Sequence, residues 1–251
     1  METGKRSVRA GIICAGDEEL APFLPALDTC RITEKAMLKF YEGQIHGVSA
    51  AALFSGVCKV NAALAAQILI DEFGVDLIIN SGTAGGIRPG LKLFDTVIST
   101  ETCYHDVAPD ILTEFHPWMP SVFFEADPEL LRLSRTAAGK CTLEGRVYWG
   151  RMVTGESFIS DAGRQEIIDR FDPLTVDMET AAIAHVCYVN AIPFLAIRTV
   201  TDTAEHCGSA FFEENCKKAS GIAETITAAL LDELNSLSYR EKTCNFVQAS
   251  L

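Results

Sequence analysis

The chain has 251 residues, of which 48% are apolar and 22% are charged, and its formal net charge is −13. This length fits one large α/β domain, and this composition is typical of a globular protein rather than a disordered one. An acidic surplus without a basic stripe argues against a general binder of the nucleic acid phosphate backbone. A nucleoside stays open as a ligand, because it carries no phosphate.

The nine cysteines are scattered along the chain and form no Cys-x-x-Cys pair. The segment from Met1 to Arg9 is polar and basic, without the apolar region of a secretory signal. We also find no run of about 18 apolar residues that predicts a membrane span. These features predict a protein of the reducing cytoplasm that has no membrane partner.

The first half of the chain predicts short apolar strands around one long helix. The strands are Val8–Ala15, Val48–Ser55, Val75–Asn80 and Phe94–Thr100. The acidic residues Asp17–Glu19 suit the first turn of a helix. A longer helix is predicted over Lys59–Phe73, and Gly74 is placed to cap its C-terminus. The glycine-rich stretch Gly82–Gly86 predicts a tight turn after the third strand.

The second half predicts three helices, two extended segments and one proline-containing loop. In chain order these are the loop Val107–Pro120, the helix Pro128–Ala138, the extended segment Arg146–Thr154, the helix Thr180–Asn190, the strand Leu195–Asp202 and the helix Glu213–Leu234. Apolar strands that alternate with helices indicate a mostly parallel sheet covered on both faces. We expect one domain over residues 8–236, an N-terminal extension over 1–7 and a polar C-terminal tail over 237–251.

Four chemically reactive stretches are expected at the carboxyl ends of strands, where ligands bind in open α/β sheets. They are Gly16–Glu19, Gly82–Gly86, Asp177–Glu179 and Thr201–Asp202. Because the carboxyl ends of parallel strands lie at the same edge of a sheet, we expect an enzyme or a ligand-binding protein.

Together these stretches resemble the nucleoside phosphorylase and nucleosidase superfamily, and most of all the bacterial nucleosidases that cleave methylthioadenosine and S-adenosylhomocysteine. The matching motifs are Gly11–Ile13 with Asp17–Glu19, Ser55–Gly56 with Lys59–Ala63, Ile79–Gly86, Tyr104–Asp106, Thr154–Ile159, Val176–Ala182 and Arg198–Asp202. The resemblance implies a three-layer α/β/α sandwich around a mostly parallel, partly barrel-like central sheet. It also implies a homodimer that binds a small-molecule nucleoside and needs no cofactor.

The activity implied by the resemblance is hydrolysis of the bond between adenine and ribose in 5′-substituted adenosines. This reaction needs an acid for the departing base, a negative charge near the cationic sugar and an activated water. Asp202 matches the family's general acid, and an apolar setting raises the pKa of such a carboxyl. By itself, however, Asp202 is more typical of a helix N-cap, and only the other matching motifs favour the acid.

Glu179 matches the residue that binds the ribose hydroxyls, and Met178 matches an apolar contact to the sugar. Glu19 matches the water-activating base. Alternatively, the acidic residues around Glu19 and around Glu179 each form the first turn of a helix and are stabilised by the helix dipole.

The resemblance assigns the remaining substrate-binding positions to Thr83, Thr201, Phe158 and Ile159, the last two as an adenine wall. An arginine inside an apolar strand is costly unless it is paired. We therefore expect Arg198 to orient Glu179 or another acid of the site.

The chain departs from the family pattern at three places. Cys58 stands where a glycine is usual, and Gly16 stands where bulkier side chains also occur. The loop 107–120 lacks the usual aromatic and glycine pattern, so Leu112, Phe115 and Pro120 are expected near the partner's site in the dimer.

His105 and Asp106 have no third metal ligand at a suitable spacing, and we predict no metal.

Three alternative functions remain at this point: a phosphorylase, a futalosine-type nucleosidase and a nucleoside-binding protein without catalysis. The carboxylates of Asp17, Glu18 and Glu19 oppose the phosphorylase, because they would repel phosphate at short range. Three intact candidate acids, Glu19, Glu179 and Asp202, oppose a protein that only binds.

Overall fold

The computed structural model of the chain describes residues 8–115, 119–159, 163–206 and 209–237. The predicted N-terminal extension and residues 238–251 of the predicted tail lie outside these ranges. Within them, the search for a helix of sufficient length and hydropathy to cross a membrane finds no candidate.

Ten strands and seven α-helices are present in the described residues. The strands are β1 (Arg9–Cys14), β2 (Asp28–Lys35), β3 (Leu38–Ile45), β4 (Val48–Phe54), β5 (Leu77–Gly86), β6 (Thr96–Tyr104), β7 (Phe124–Glu125), β8 (Val147–Thr154), β9 (Thr175–Asp177) and β10 (Phe194–Asp202). The helices are α1 (Asp17–Leu20), α2 (Lys59–Phe73), α3 (Pro109–Phe115), α4 (Pro128–Lys140), α5 (Arg164–Phe171), α6 (Thr180–Val189) and α7 (Ser209–Ser236). A short 3-10 helix, Ala21–Ala26, follows α1.

Five strands of the sheet close into a barrel, in the order β5, β10, β6, β8, β9 and back to β5. From β5 the sheet continues through β1, β4 and β3 to the edge strand β2. One parallel run contains β4, β1, β5 and β10, and a second contains β6, β8 and β9. The two runs meet antiparallel inside the barrel. The predicted α/β fold with a partly barrel-like sheet is thereby confirmed.

Helices cover both faces of the sheet, and neighbouring residues of one strand point to opposite layers. Ile12 packs in a core cluster with residues of α4 and α7. Ile13 packs in a second cluster with residues of α2 and α6. A strand that is buried on both faces must be apolar at successive positions, which explains the continuous apolar runs in the sequence.

The prediction of a tight turn over Gly82–Gly86 is wrong, because β5 continues to Gly86 and pairs there with β9 and β10. Glycine is needed in this strand because another side chain packs directly against its backbone, not because the chain turns there. A Cβ atom on Gly82 would lie 2.5 Å from the carboxyl carbon of Glu19. Because Gly82 has no side chain, the Glu19 carboxylate can pack directly against the backbone of β5.

The prediction of a loop over Val107–Pro120 is also wrong in part, because it contains α3. Its first residue is Pro109, and proline is favoured at that position because the first helical N–H has no partner within the helix. The sequence also failed to predict β2, β3, β7, β9 and α5.

Candidate active site

A cavity of about 600 Å³ lies at the strand ends where the sequence predicted a ligand. All four predicted stretches contribute lining residues, and the rest come from the loops after β4 and β8 and from the first turns of α7. The lining includes Gly16–Glu19, Val57, Thr83–Gly85, Ser157–Ile159, Val176–Glu179, Thr201–Asp202, Phe212, Glu213 and Cys216. Such a volume suits a small-molecule ligand of nucleoside size.

Asp202 ends β10 at the cavity and is only 2% exposed. Burial raises the pKa of its carboxyl above the ordinary value, and the Thr201 hydrogen bond and the Arg164 charge oppose this effect only in part. The Thr201 hydroxyl donates to Asp202 Oδ1 at 3.0 Å. The nearest following helix begins at Ser209. Asp202 therefore lies too far from α7 to be its N-cap.

Glu19 is buried beside β5 and accepts hydrogen bonds at both carboxylate oxygens. The backbone N–H groups of Ala15 and Gly16 donate to Oε2 at 2.6 and 3.3 Å. The N–H and the hydroxyl of Thr83 both donate to Oε1 at 2.7 Å. Thr83 carries the predicted ligand-binding hydroxyl, and in this structure the partner of that hydroxyl is Glu19.

Glu179 precedes α6, but its side chain turns away from that helix. Its Oε2 accepts from Arg198 Nη2 at 2.8 Å, and its Oε1 accepts from the backbone N–H of Cys58 at 2.9 Å. Burial raises the pKa of Glu179 to about 7; Arg198 opposes the shift, while Asp177 and Glu19 add to it. This carboxylate is therefore not a simple acidic helix start.

Arg198 lies in the middle of β10 and is fully buried. Its guanidinium is within 3.6 Å of carboxylate oxygens of Glu19 and Asp177, in addition to its bond with Glu179. Burial disfavours its charge, but the three carboxylates hold its pKa above the ordinary value. Nη1 has no hydrogen-bond partner among the described residues. One buried donor thus remains available next to Glu19.

The predicted adenine wall also faces the cavity. Phe158 and Ile159 line it after β8, and the Phe158 ring is 45% exposed. Met178 lines it beside Glu179. An aromatic ring left open at a cavity offers a flat apolar face to a ligand ring.

The charged side chains of the lining are all acidic. Asp17, Glu18, Glu19, Asp177, Glu179, Asp202 and Glu213 contribute seven carboxylates, and no described lining residue is Lys, Arg or His. In the same described ranges, no group of three or more His, Cys, Asp or Glu side chains is arranged to hold a metal ion.

A family model described as "Phosphorylase superfamily" matches residues 9–232. The 5′-methylthioadenosine/S-adenosylhomocysteine nucleosidase of Exiguobacterium sp. is 37% identical over 221 residues, which are 85% of this chain and 93% of the relative. The chain belongs to the phosphorylase superfamily, in its 5′-methylthioadenosine/S-adenosylhomocysteine nucleosidase family.

Solved structures agree with this membership of the nucleosidase family. The nucleosidase of that name from Colwellia psychrerythraea, in complex with adenine, matches with a TM-score of 0.83 and 32% identity. The match covers 91% of this chain and 96% of the other. Futalosine hydrolase of Helicobacter pylori matches with a TM-score of 0.81 at 24% identity, covering 90% and 98%, and it supports the fold alone.

Two contributors to this nucleosidase-family site were not predicted from the sequence. The carboxylate of Asp177 accepts the N–H groups of Glu179 and Thr180. The Cys58 N–H holds the other oxygen of Glu179. Asp177 stands inside the quoted Asp-Met-Glu motif, but the sequence does not show that Asp177 bonds to the α6 backbone while Glu179 bonds to Arg198.

Proposed function

We propose that the chain hydrolyses the N-glycosidic bond of 5′-substituted adenosines, with methylthioadenosine and S-adenosylhomocysteine as substrates. The products are adenine and the corresponding ribose derivative. The observation that carries this proposal is a cavity whose charged lining side chains are all carboxylates, in which the almost fully buried Asp202 shares the lining with Glu19 and Glu179. A neutral acid and ionised acids in one cavity are what this bond cleavage requires.

Asp202 is proposed as the general acid. Its raised pKa keeps a proton on the carboxyl closer to neutrality than an exposed aspartate would. Transfer of that proton to an imidazole-ring nitrogen of adenine turns an anionic leaving group into a neutral one. The C–N bond can then break with its electron pair leaving on the base.

Glu19 is proposed as the base that activates the attacking water. The unused Nη1 donor of Arg198 lies 3.6 Å from Glu19 Oε1 and is available to a water held there. For Oε1 to accept a proton from water, the Thr83 hydroxyl has to rotate away. A bound sugar hydroxyl would give the Thr83 hydroxyl a new partner.

Glu179 is proposed to bind the ribose hydroxyls, and its charge favours the oxocarbenium-like sugar that forms as adenine leaves. Arg198 orients Glu179 through their 2.8 Å contact. Met178 is proposed to contact the sugar. Phe158 and Ile159 are proposed to contact adenine, and Thr201 to support Asp202 beside it.

Phosphorolysis is the main alternative, and the charge of the cavity opposes it. Phosphate needs cationic or N–H donors, whereas the described lining supplies seven carboxylates and no cationic side chain. A futalosine-type substrate remains the second alternative, since the fold is shared with a futalosine hydrolase.

We further propose a homodimer in the cytoplasm. The cysteines of the described residues are all unpaired, as expected in a reducing compartment. Phe115 of α3 is 71% exposed and Pro120 is exposed, so both are available to a partner subunit. Leu112 is buried in the chain's own core, so the proposed partner contact is made by Phe115 and Pro120.

The proposal is tested by measuring adenine release from methylthioadenosine, S-adenosylhomocysteine, 5′-deoxyadenosine and futalosine, with and without phosphate. We expect release from the first two substrates at rates that do not depend on phosphate. Strict dependence on phosphate would establish the phosphorylase, and preference for futalosine would establish the second alternative. Tight binding without release would show a nucleoside-binding protein.

A further inference from the structure

The turn between β9 and α6 is built around the side chain of Asp177. Its Oδ1 accepts the backbone N–H of Glu179 at 3.1 Å and that of Thr180 at 3.0 Å. These are orphan donors at the start of α6, which a carboxylate satisfies well. Asp177 therefore fixes the backbone from which the Glu179 side chain reaches the cavity.

A second set of bonds fixes Asp177 itself. The Thr154 hydroxyl at the end of β8 donates to Asp177 Oδ1 at 2.7 Å and accepts the Ala181 N–H at 2.9 Å. The Thr180 hydroxyl contacts Oδ2. All of these groups are buried, so β8, β9 and α6 are joined in one polar network with little freedom to move.

The charge of Asp177 acts on Arg198, which is also the ion-pair partner of Glu179. Asp177 Oδ2 lies 3.6 Å from Arg198 Nε, while Arg198 Nη2 holds Glu179. The groups that act on the Glu179 carboxylate are thus Arg198 from β10, Asp177 from β9, Glu19 from α1 and the Cys58 N–H that begins α2. Next to burial, Asp177 and Glu19 are the groups that raise the pKa of Glu179.

We propose that Asp177 is a positioning residue for the glycosidic hydrolysis, which holds the Glu179 carboxylate in place through the α6 turn and competes with it for Arg198. Asp177 does this without touching the reacting atoms. This inference rests on the proposed function, because it concerns how Glu179 binds the sugar.

Two substitutions separate the hydrogen bonds that Asp177 accepts from the effect of its negative charge. Asp177→Asn keeps an oxygen acceptor for the α6 turn and removes the charge, whereas Asp177→Ala removes both. We expect kcat/KM to fall by about tenfold for Asp177→Asn and by about a hundredfold or more for Asp177→Ala, as for residues that place a catalytic group. Asparagine should therefore restore part of the loss caused by alanine.

Asp127 provides a matched control, because it caps α4 in the same way. Its Oδ1 accepts the N–H groups of Glu129 and Leu130, both at 2.9 Å, and it does not line the cavity. Asp127→Ala should lower the midpoint of urea unfolding about as much as Asp177→Ala does, while kcat/KM stays within about twofold of wild type. Equal effects of the two alanine substitutions on kcat/KM would overturn the proposal.

The negative charge of Asp177 should affect the pH profile of kcat/KM, whereas a purely structural role of Asp177 would leave that profile unchanged. Asp177 raises the pKa of Glu179, so its neutralisation by Asp177→Asn should lower that pKa. Ionised Glu179 is the active form, and the acid limb of the pH profile of kcat/KM should therefore move to lower pH. An acid limb that stays in place would contradict the proposal.

A measurement without turnover keeps this test independent of the proposed reaction. The carboxyl carbon of Glu179 is followed by ¹³C NMR during a pH titration of glutamate-labelled protein, and Glu179→Gln identifies its signal. A lower titration midpoint in Asp177→Asn supports the proposal even if the wild type releases no adenine, and an unchanged midpoint overturns it. Absence of adenine release from the wild type contradicts only the proposed function.

Discussion

Asp202 and Glu179 are both buried carboxylates, but they have different partners. Glu179 is in contact with the Arg198 guanidinium, whereas Asp202 has a neutral hydroxyl, that of Thr201, as its hydrogen-bond donor. A cationic group in direct contact favours an ionised acid, whereas burial favours a protonated acid. The direct contact with Arg198 supports the proposed anionic sugar contact for Glu179, and the neutral donor beside Asp202 supports its proposed role as proton donor.

The substitution Asp202→Asn removes the transferable proton while it keeps the shape of the side chain. We expect kcat to fall by roughly 10²–10⁴-fold, because the proton matters mainly at the barrier, and KM to change by no more than about threefold. Steady-state adenine release measures both. A variant that keeps more than a tenth of the wild-type kcat would remove Asp202 from the role of acid.

The raised pKa of Asp202 also predicts how the Asp202→Asn substitution changes the stability of the protein. A carboxyl whose pKa is raised on folding destabilises the folded state once the pH exceeds its unfolded pKa. The substitution removes this cost, so stability at pH 7 should be equal to or greater than that of the wild type. A loss of activity then reflects chemistry rather than unfolding.

At the scale of single residues, the sequence indicated the candidate acids but not their environments. The family motifs located Glu19, Glu179 and Asp202, and the structure brings all three to one cavity. The role of Asp177 could not be predicted, because an acidic pair before a helix is equally typical of dipole stabilisation. Only the three-dimensional contacts show that Asp177 caps α6 and that Glu179 does not.

Among the elements, α2 begins with a strained residue that serves the site. Cys58 has φ 81° and ψ 160°, a region that is almost restricted to glycine and costs about 1–3 kcal/mol for other residues. Its N–H nevertheless bonds to Glu179 at 2.9 Å. The protein therefore keeps a strained residue before α2 whose N–H is directed at the carboxylate proposed to bind the ribose.

Cys58→Gly should relieve this strain and leave the hydrogen bond in place. We expect the free energy of unfolding to rise by about 1 kcal/mol, since the relief exceeds the extra entropy that glycine has in the unfolded chain. Urea denaturation measures the change, and kcat/KM should stay within about twofold. The matched control Cys58→Ala keeps a Cβ and should not be stabilised. An equal gain in both variants would show that the thiol, not the backbone, is responsible.

Elements with strong local signals were predicted closely, and those without them were missed. The helix over Lys59–Phe73 and its left-handed Gly74 cap are confirmed to the residue. The β2–β3 hairpin was missed because its turn places Ala36 and Met37 at positive φ, without the glycine or asparagine that marks such turns. Its outer strand is also mostly exposed and polar, so it lacks an apolar run.

In the whole molecule, the layer formed by α2, α3 and α6 leaves apolar side chains in solvent. These helices bury their inner faces in one core cluster. On their outer faces Val60 is 77% exposed, Phe115 is 71% exposed and Val189 is 58% exposed. Because apolar side chains are often covered at protein interfaces, these exposed positions are where the proposed homodimer is tested.

Light scattering coupled to gel filtration tests the dimer. We expect a mass near twice the 27.3 kDa of one chain for the wild type. Val60→Glu should weaken the dimer, because it introduces a carboxylate into an apolar interface. Met37→Glu is the control, since Met37 is fully exposed on the β2–β3 hairpin and should not affect the mass. A wild-type mass of one chain would show that the proposed dimer is wrong.

In the proposed reaction, water attacks the sugar in an acidic cavity while Asp202 supplies a proton to the base. The most direct test of this mechanism is the reaction of methylthioadenosine with the wild-type protein in H₂¹⁸O without phosphate. We expect stoichiometric adenine and one ¹⁸O atom at C1 of the methylthioribose, with no change in rate when phosphate is added. No cleavage until phosphate is present, with a sugar 1-phosphate as the product, would contradict it.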